Sequence, residues 1–515
     1  MKKNVTLIRL MVSYLFLVNI AYATIWYVHP DSIMNCIQDG LDSCSTGDTV
    51  LVGPGTYYEN IIWPNTQGID LISEYGPDST ILDGDSAGSV LTIDNGIDTS
   101  TTIIGFTIRD GFADNGSGIL CSNHSAPRIC GNIITSNDGG ASIACIDSSS
   151  PFISDNTIQS NTAGGIMCNY YSSPIITDNI ITNNVVWFGL GGGILCMESS
   201  PTITGNTISY NQCLPVKNIN MLVDYSRKVT NSIDFKRPGP SGGGICLLAS
   251  APLIDGNSII GNSGVWGGGI FCVGSSPTIR STTISENIAC HGGGGIYISG
   301  SSLLFINNIV TANVAAFGGG ICCDYALSLI IDSCTISNNN RDGIYCNHVA
   351  SVINYNNITN NIGYGMRNDW SGIIVNAEYN WWGDASGPYH ATANPGGLGD
   401  TVSDYVDFIP WDTVPYPWGI EEYEPSQPIT TLLQISPNPF RVRVDIRWQI
   451  ADNSRVNLKI YDATGRMVKD FKHVINQQIF WNGTDDLNRK LPSGVYFLKF
   501  QAGDYSATEK LLLIR

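Results

Sequence analysis

Charge is scarce in this chain. Only 14% of its 515 residues are Asp, Glu, Lys or Arg, and 26 basic residues stand against 44 acidic ones, a net charge of −18. That balance excludes nucleic acid as a partner, because phosphate binding needs a basic face. Long apolar runs are missing as well. The single exception, LMVSYLFLVNI (10–20), follows Lys2, Lys3 and Arg9 and ends at Ala21-Tyr22-Ala23. A positive start, a short apolar run and an A-x-A site predict a secretory signal over 1–23, with no membrane-spanning segment in the mature chain. Metal-ligand spacings such as C-x2-C are absent, as are H-E-x-x-H, phosphate-loop and EF-hand patterns, so no metal or cofactor is expected.

What the chain has in quantity is glycine, 56 residues, and a phrase that repeats. Residues 191–211, GGGILCMESSPTITGNTISYN, are one copy. Aligned on Ile108, Ile134, Ile158, Ile181, Ile208, Ile259, Ile284, Ile309, Ile336 and Ile358, the copies step by 22 to 27 residues, with one step of 51. Five residues earlier stands a second apolar column, for example Ile129, Ile153 and Ile176; seven earlier, prolines such as Pro151 and Pro174 mark a turn. Asparagines fill two further columns. The first runs Asn132, Asn156, Asn179, Asn206, Asn257, Asn307 and Asn356, and the second runs from Asn137 to Asn361, broken only at Ala312. A Gly-Ile pair (Ser-Ile at 142–143) closes each copy, with cysteine two residues on at 121, 145, 168, 196, 272, 323 and 346.

Three short strands per copy cannot bury an apolar side alone. Stacked as coils of a parallel β-solenoid, they pair at roughly 4.8 Å, so about twelve coils predict a rod of roughly 60 Å. Isoleucine fills the interior. Asparagine suits the bends, since it tolerates left-handed backbone and its amides bond one another in stacks. The cysteine column reads as free thiols serving as small hydrophobes, because parallel side-chain vectors oppose bridging. Cys36 and Cys44 are the strongest disulfide candidates.

This pattern resembles the right-handed parallel β-helix repeat, or pectin-lyase-like, family. Its N-terminal cap resembles residues 25–61, with a short helix at about 33–44, and a closing motif resembles 379–411 (YNWWGDASGP…FIPW). The resemblance implies an all-β fold over 24–411, interrupted by an insertion at 212–240. It implies no activity: the coil region lacks the family's N-T-D, D-D and G-H-G strings and an Asp cluster with a nearby Arg, so no catalytic residue carries over.

Beyond a Pro-rich, acidic linker at 412–434, composition changes. VRVDIRW, VNLKIYD and GVYFLKF alternate at period two, which predicts a small antiparallel, Ig-like sandwich over 435–515. ISPNPF, VNLKIYDATGRMV, WNGTD (481–485), LPSGVYFLKF and KLLLIR resemble the type A C-terminal sorting domain of type IX secretion. That resemblance implies the secretion machinery as a partner and a secreted or outer-membrane-attached location.

Two clusters invite a functional reading. Asp155 and Asp178 share a column on adjacent coils, yet Gly131, Gly205 and Gly256 share it too, which marks an ordinary turn. The turn before each Gly-Ile pair carries aromatics instead: Trp187, Phe188, Trp266 and Phe317, with His291. The insertion leaves the same turn with Lys217, Arg227, Lys228, Lys236 and Arg237, half of the ten basic residues between 51 and 430. Aromatic faces beside cationic side chains suit sugars and acidic groups. His124 and His348 read as exposed turn residues. The expectation is a non-catalytic, secreted or surface-held protein that binds glycans or other surface components. The alternative is a lyase or glycoside hydrolase acting on acidic polysaccharide.

Overall fold

The computed structural model describes residues 23–417, apart from 188, 215–238 and 240, and then 432–436, 440, 443–449, 456–462, 466–471, 478–486, 489–502 and 505–513. The expected signal segment and most of the insertion lie outside the described residues.

From Ile25 to Asp407 the chain winds into coils, each contributing strands to three parallel sheets of 15, 14 and 12 strands. Register is unshifted from coil to coil across almost the whole stack. In the 12-stranded sheet Ile108, Ile134, Ile158, Ile181, Ile208, Ile259 and Ile284 face one another in turn, and all are fully buried. The 15-stranded sheet supplies the facing column, including Ile129, Ile153, Ile176, Ile203, Ile254 and Ile279. Gly-Ile strands form the 14-stranded sheet, where Cys121, Cys145, Cys168 and Cys196 stand in direct register and are fully buried. All 15 cysteines are free thiols. Burial pushes Cys121 up to about 12, so the interior thiols hold their protons.

The two asparagine columns hold the bends. Asn156 donates its backbone N–H and its Nδ2 to Asn179 Oδ1, both at 3.0 Å, and a second Nδ2 bond to the Ile129 carbonyl at 2.8 Å. Asn179 repeats the pattern on Asn206. Each amide therefore satisfies a buried backbone donor on the coil before it. Between the two apolar columns the chain turns on one left-handed residue: Gly131, Asp155, Asp178, Gly205 and Gly256 have φ of 64, 57, 56, 64 and 62°. The Asp155/Asp178 column is a turn position that Gly, Asp or Asn fills for backbone reasons.

Two expectations need correcting. In Ile306-Asn307-Asn308-Ile309-Val310 both residue types are doubled, and the alignment on Ile309 is one residue early. Val310 pairs with Ile284 and Ile336, while Phe305 takes the facing position opposite Ile279. The rungs are therefore Asn308 and Asn313, not Asn307 and Ala312, and the second asparagine column is unbroken from Asn137 to Asn361. In this register Phe305 is fully buried and Leu304 points outward. Cys36 and Cys44 do not pair. Helix α1 (Ile37–Asp42) separates them, and eight residues of helical rise, roughly 12 Å, exceed any disulfide's reach. Cys36 Sγ turns to Glu59 and Cys44 Sγ to the Gly40 carbonyl.

Both ends are sealed. α1 lays Ile37, Gly40 and Leu41 against the first coil, and Glu59 accepts the Ile37 and Gln38 N–H groups at its N-terminus. At the far end Asn380 is the last rung of one column and Trp382 is a fully buried plug. Asp400 ends the other column, accepting Asn361 N and Nδ2 at 3.0 and 2.9 Å. Beyond the coils, three- and four-stranded antiparallel sheets enclose a separate core around Val444, Leu458, Trp481, Leu498 and Phe500. Trp481 Nε1 donates to the Thr484 carbonyl at 2.8 Å, and the Tyr496 hydroxyl to that of Pro492 at 2.7 Å, which accounts for the WNGT and LPSGVY strings.

Three outcomes are expected. Asn184→Ala strands two donors of Asn161 in the interior and costs about 1–3 kcal/mol, read as a lower urea midpoint. Burial raises the carboxyl of Asp400, so its share of stability is present below the usual carboxylate range and lost as pH rises through the raised value. Asp400→Asn, which continues the amide ladder, therefore raises the midpoint near neutral pH and leaves it unchanged in acid. Alkylation of the native protein labels only Cys290, which is exposed, and the half-buried Cys36, Cys44 and Cys130; the others react after unfolding.

Candidate functional site

Side chains alternate along a strand, so each four-residue strand of the 14-stranded sheet points two residues outward. Of Ile270–Val273, Ile270 and Cys272 enter the main core while Phe271 belongs to a second, outer cluster. Register carries that outer row through Leu195, Cys246, Phe271, Tyr297, Cys322, Tyr345 and Arg367. A parallel outer row runs Leu248, Val273, Ser299, Asp324 and Asn347. Together they floor a strip along the rod. Toward its N-terminal end the strip is apolar; past Tyr297 it carries hydroxyls and charge.

The aromatics read from the sequence flank this floor on the incoming turns, but they differ in what they do. Trp266, Gly292 and Phe317 occupy one column of those turns. Because position 292 has no side chain, the Trp266 ring packs against it; a Cβ there would stand 3.0 Å from the ring and 3.1 Å from Cys322 Sγ. The ring packs on Tyr297 at 4.8 Å and on His291 at 5.0 Å, and Tyr297 stacks on Phe271 at 5.4 Å. Trp266 and His291 are half-buried, and burial lowers the imidazole's proton affinity. Phe317 is 48% exposed and tilts against Tyr345 at 5.9 Å. Trp187 stands apart, on Val185–Trp187 of a small four-stranded sheet built from the same turns, opposite Leu214. Phe188, Arg227, Lys228, Lys236 and Arg237 lie outside the described residues.

A second aromatic row borders the floor on its outgoing turns. Tyr325 stacks on His348 at 4.3 Å, and His348 on Trp370 at 3.6 Å. Farther along the same turns Tyr170 and Tyr171 are exposed, the latter 74%. Tyr170, Tyr171, Tyr325 and His348 have φ of 49, 63, 51 and 55°. Left-handed backbone is costly for bulky residues, and such strain concentrates where a side chain has work to do. His348 is thus the middle of a stack, not the solitary turn residue expected; His124 is exposed as read. The one signal in the sequence was position: Tyr170, Tyr325 and His348 all follow the cysteine column by two residues.

Between the two rows lies a polar network that the sequence reading missed. Arg367 donates to both oxygens of Asp369, at 2.7 and 3.0 Å, and the Tyr345 hydroxyl donates to Asp369 Oδ2 at 3.0 Å. Burial, helped by Asp369, pushes the Tyr345 phenol well above its usual range. Burial also raises the carboxyl of Asp342, which accepts the Tyr364 N–H at 3.2 Å. Ser86 and Ser241, which sit in G-x-S-x-G strings, are bonded to no imidazole among the described residues; Ser241 donates to the Gly239 carbonyl. No group of three His, Cys, Asp or Glu able to hold a metal occurs among those residues, and no helix is long and apolar enough to cross a membrane.

Residues 60–234, 191–323 and 288–380 match the right handed beta helix region family, and 434–514 match the secretion system C-terminal sorting domain. No curated protein matches the chain. Among solved structures, PorZ, an essential surface component of the type-IX secretion system of Porphyromonas gingivalis, is 24% identical over 16% of this chain and 11% of its own, with a TM-score of 0.14. The tailspike gp49 of Acinetobacter baumannii bacteriophage Fri1, a capsular polysaccharide depolymerase, is 10% identical over 95% of this chain and 80% of its own, at 0.29. A mannuronic acid specific polysaccharide family 6 lyase from human gut microbiota is 11% identical over 71% of this chain and 89% of its own, at 0.30. The chain spans about a tenth of the length of PorZ. The sorting domain marks a protein that is secreted or held at the outer cell surface. The family match runs through more than half of the sequence, over the same coils whose rungs and columns are described above, and the chain belongs to the right handed beta helix family.

Proposed function

We propose that this secreted or surface-held β-helix binds glycan chains on the outer face of its 14-stranded sheet without cleaving them. The observation that carries this reading is the pair of aromatic rows, Trp266 with Phe317 and Tyr325 with Trp370, bordering one polar floor. Rigid aromatic faces supply contact area to sugar C–H faces at little entropic cost. The floor is poor in usable catalysts. Tyr345 keeps its proton, so it donates a hydrogen bond and does not serve as a base.

A second reading, hydrolysis or elimination on a polysaccharide, rests on Asp342. Its buried carboxyl holds a proton more tightly than usual, as a general acid must. The two readings part on product formation. On a glycan array the mature chain is expected to retain defined glycans with no new reducing ends or unsaturated products. Trp266→Ala and Phe317→Ala are each expected to weaken retention about tenfold, or ~1.4 kcal/mol. Product that accumulates with time and disappears in Asp342→Asn overturns binding in favour of catalysis. Because burial lowers the proton affinity of His291, its ring stays neutral near neutral pH. Trp266→Ala uncovers it, and histidine Cε1 hydrogen–deuterium exchange read by mass spectrometry should show its titration moving up toward the ordinary imidazole value.

A further inference from the structure

The cations along the floor each face a carboxylate. Arg367 offers its planar fork to a single carboxylate, Asp369, and its face lies over the rings of Tyr345 and Tyr364 at 5.8 and 5.7 Å. That pairing takes one bidentate edge of the guanidinium and offsets the charge that a uronate or a sulfate would read. Arg341, the other cation beside the floor among the described residues, sits next to the buried Asp342 and draws its carboxyl downward. Asp324 stands in the middle of the strip, between Ser299 and Asn347. It accepts the Asn347 amide at 2.8 Å and the Tyr297 hydroxyl at 3.5 Å, and it forms no ion pair with a cation among the described residues. Among the described residues, three carboxylates thus meet two guanidiniums on a chain whose net charge is −18. A polyanion would approach against both the overall field and a local carboxylate, while the aromatic rows offer faces indifferent to charge.

We infer that this strip takes glycans without carboxylate or sulfate groups, an inference that rests on the binding reading above. This reverses the acidic substrate attached to the alternative enzyme reading. The experiment is affinity electrophoresis of the mature chain in gels holding a neutral β-glucan, a neutral xylan, polygalacturonate or alginate, at low and at moderate salt. Retention by a neutral polymer, unchanged by salt, with at least tenfold weaker retention by either uronate at low salt, is the expected result. Asp324→Asn is expected to raise uronate retention at low salt, where the charge it removes is least screened. Uronate retained as well as, or better than, the neutral polymers overturns the inference and leaves glycan binding standing. Retention by none of the four, with none on the glycan array, removes the binding reading and this inference together.

Discussion

The side-chain amide of asparagine, stacked on its own copy one coil away, is the interaction on which the rest of the rod depends. A solenoid must turn the chain several times per coil, and each turn leaves buried backbone donors with no strand to pair them. Here an Oδ1 accepts both the backbone and the side-chain N–H of the asparagine before it, so one residue type closes the corner and ties adjacent coils. That bond has a single geometry, and it forbids sliding. In a β structure a slip by one residue would turn every interior isoleucine outward. Vertical files of thiols and rings are therefore consequences of a register set at the bends.

Interior and exterior follow different rules. Inside, the files are monotonous: isoleucine over isoleucine, thiol over thiol, with substitutions that stay apolar, such as Leu247 and Ile298 in the cysteine file. Outside, the same register is used to set unlike residues in contact. Trp266 reaches across a coil because its neighbour in the file is Gly292; Arg367 caps a row of tyrosines because Asp369 holds its fork. Several of the outermost rings are carried on left-handed backbone, so local strain is accepted at the rim and offset by the pairing beneath it.

How much of this is legible in the sequence depends on whether a residue's role is periodic. Isoleucine, asparagine and cysteine recur at fixed offsets, and their files follow from spacing; the terminal sandwich follows from period-two alternation, and the caps from family resemblance. Where the repeat is locally degenerate, as in the doubled Asn307-Asn308, spacing cannot choose between two adjacent registers, and the one adopted buries Phe305 in place of Leu304. Cys36 and Cys44 mislead for the opposite reason: proximity along the chain is undone by a helix that holds them apart. The aromatic row of Tyr325, His348 and Trp370 escapes notice because its file also holds glycine, alanine and glutamate, so composition never announces it. Whether Trp266 faces solvent or folds down is a matter of what position 292 lacks, a relation between coils that no single repeat displays.

The excursion after Leu214 shows how this architecture tolerates growth. Ser241, just past it, bridges Leu190 on one side and Trp266 on the other, and the Gly-Ile strand that follows falls into line as if the intervening residues were not there. A rung neither senses nor transmits what is spliced in between two corners, as long as both ends of the splice emerge where a corner already exists. The rod is in that sense a rack: attachments of new length and chemistry can be hung from any shelf by descent or by design, and the shelves above and below keep their alignment.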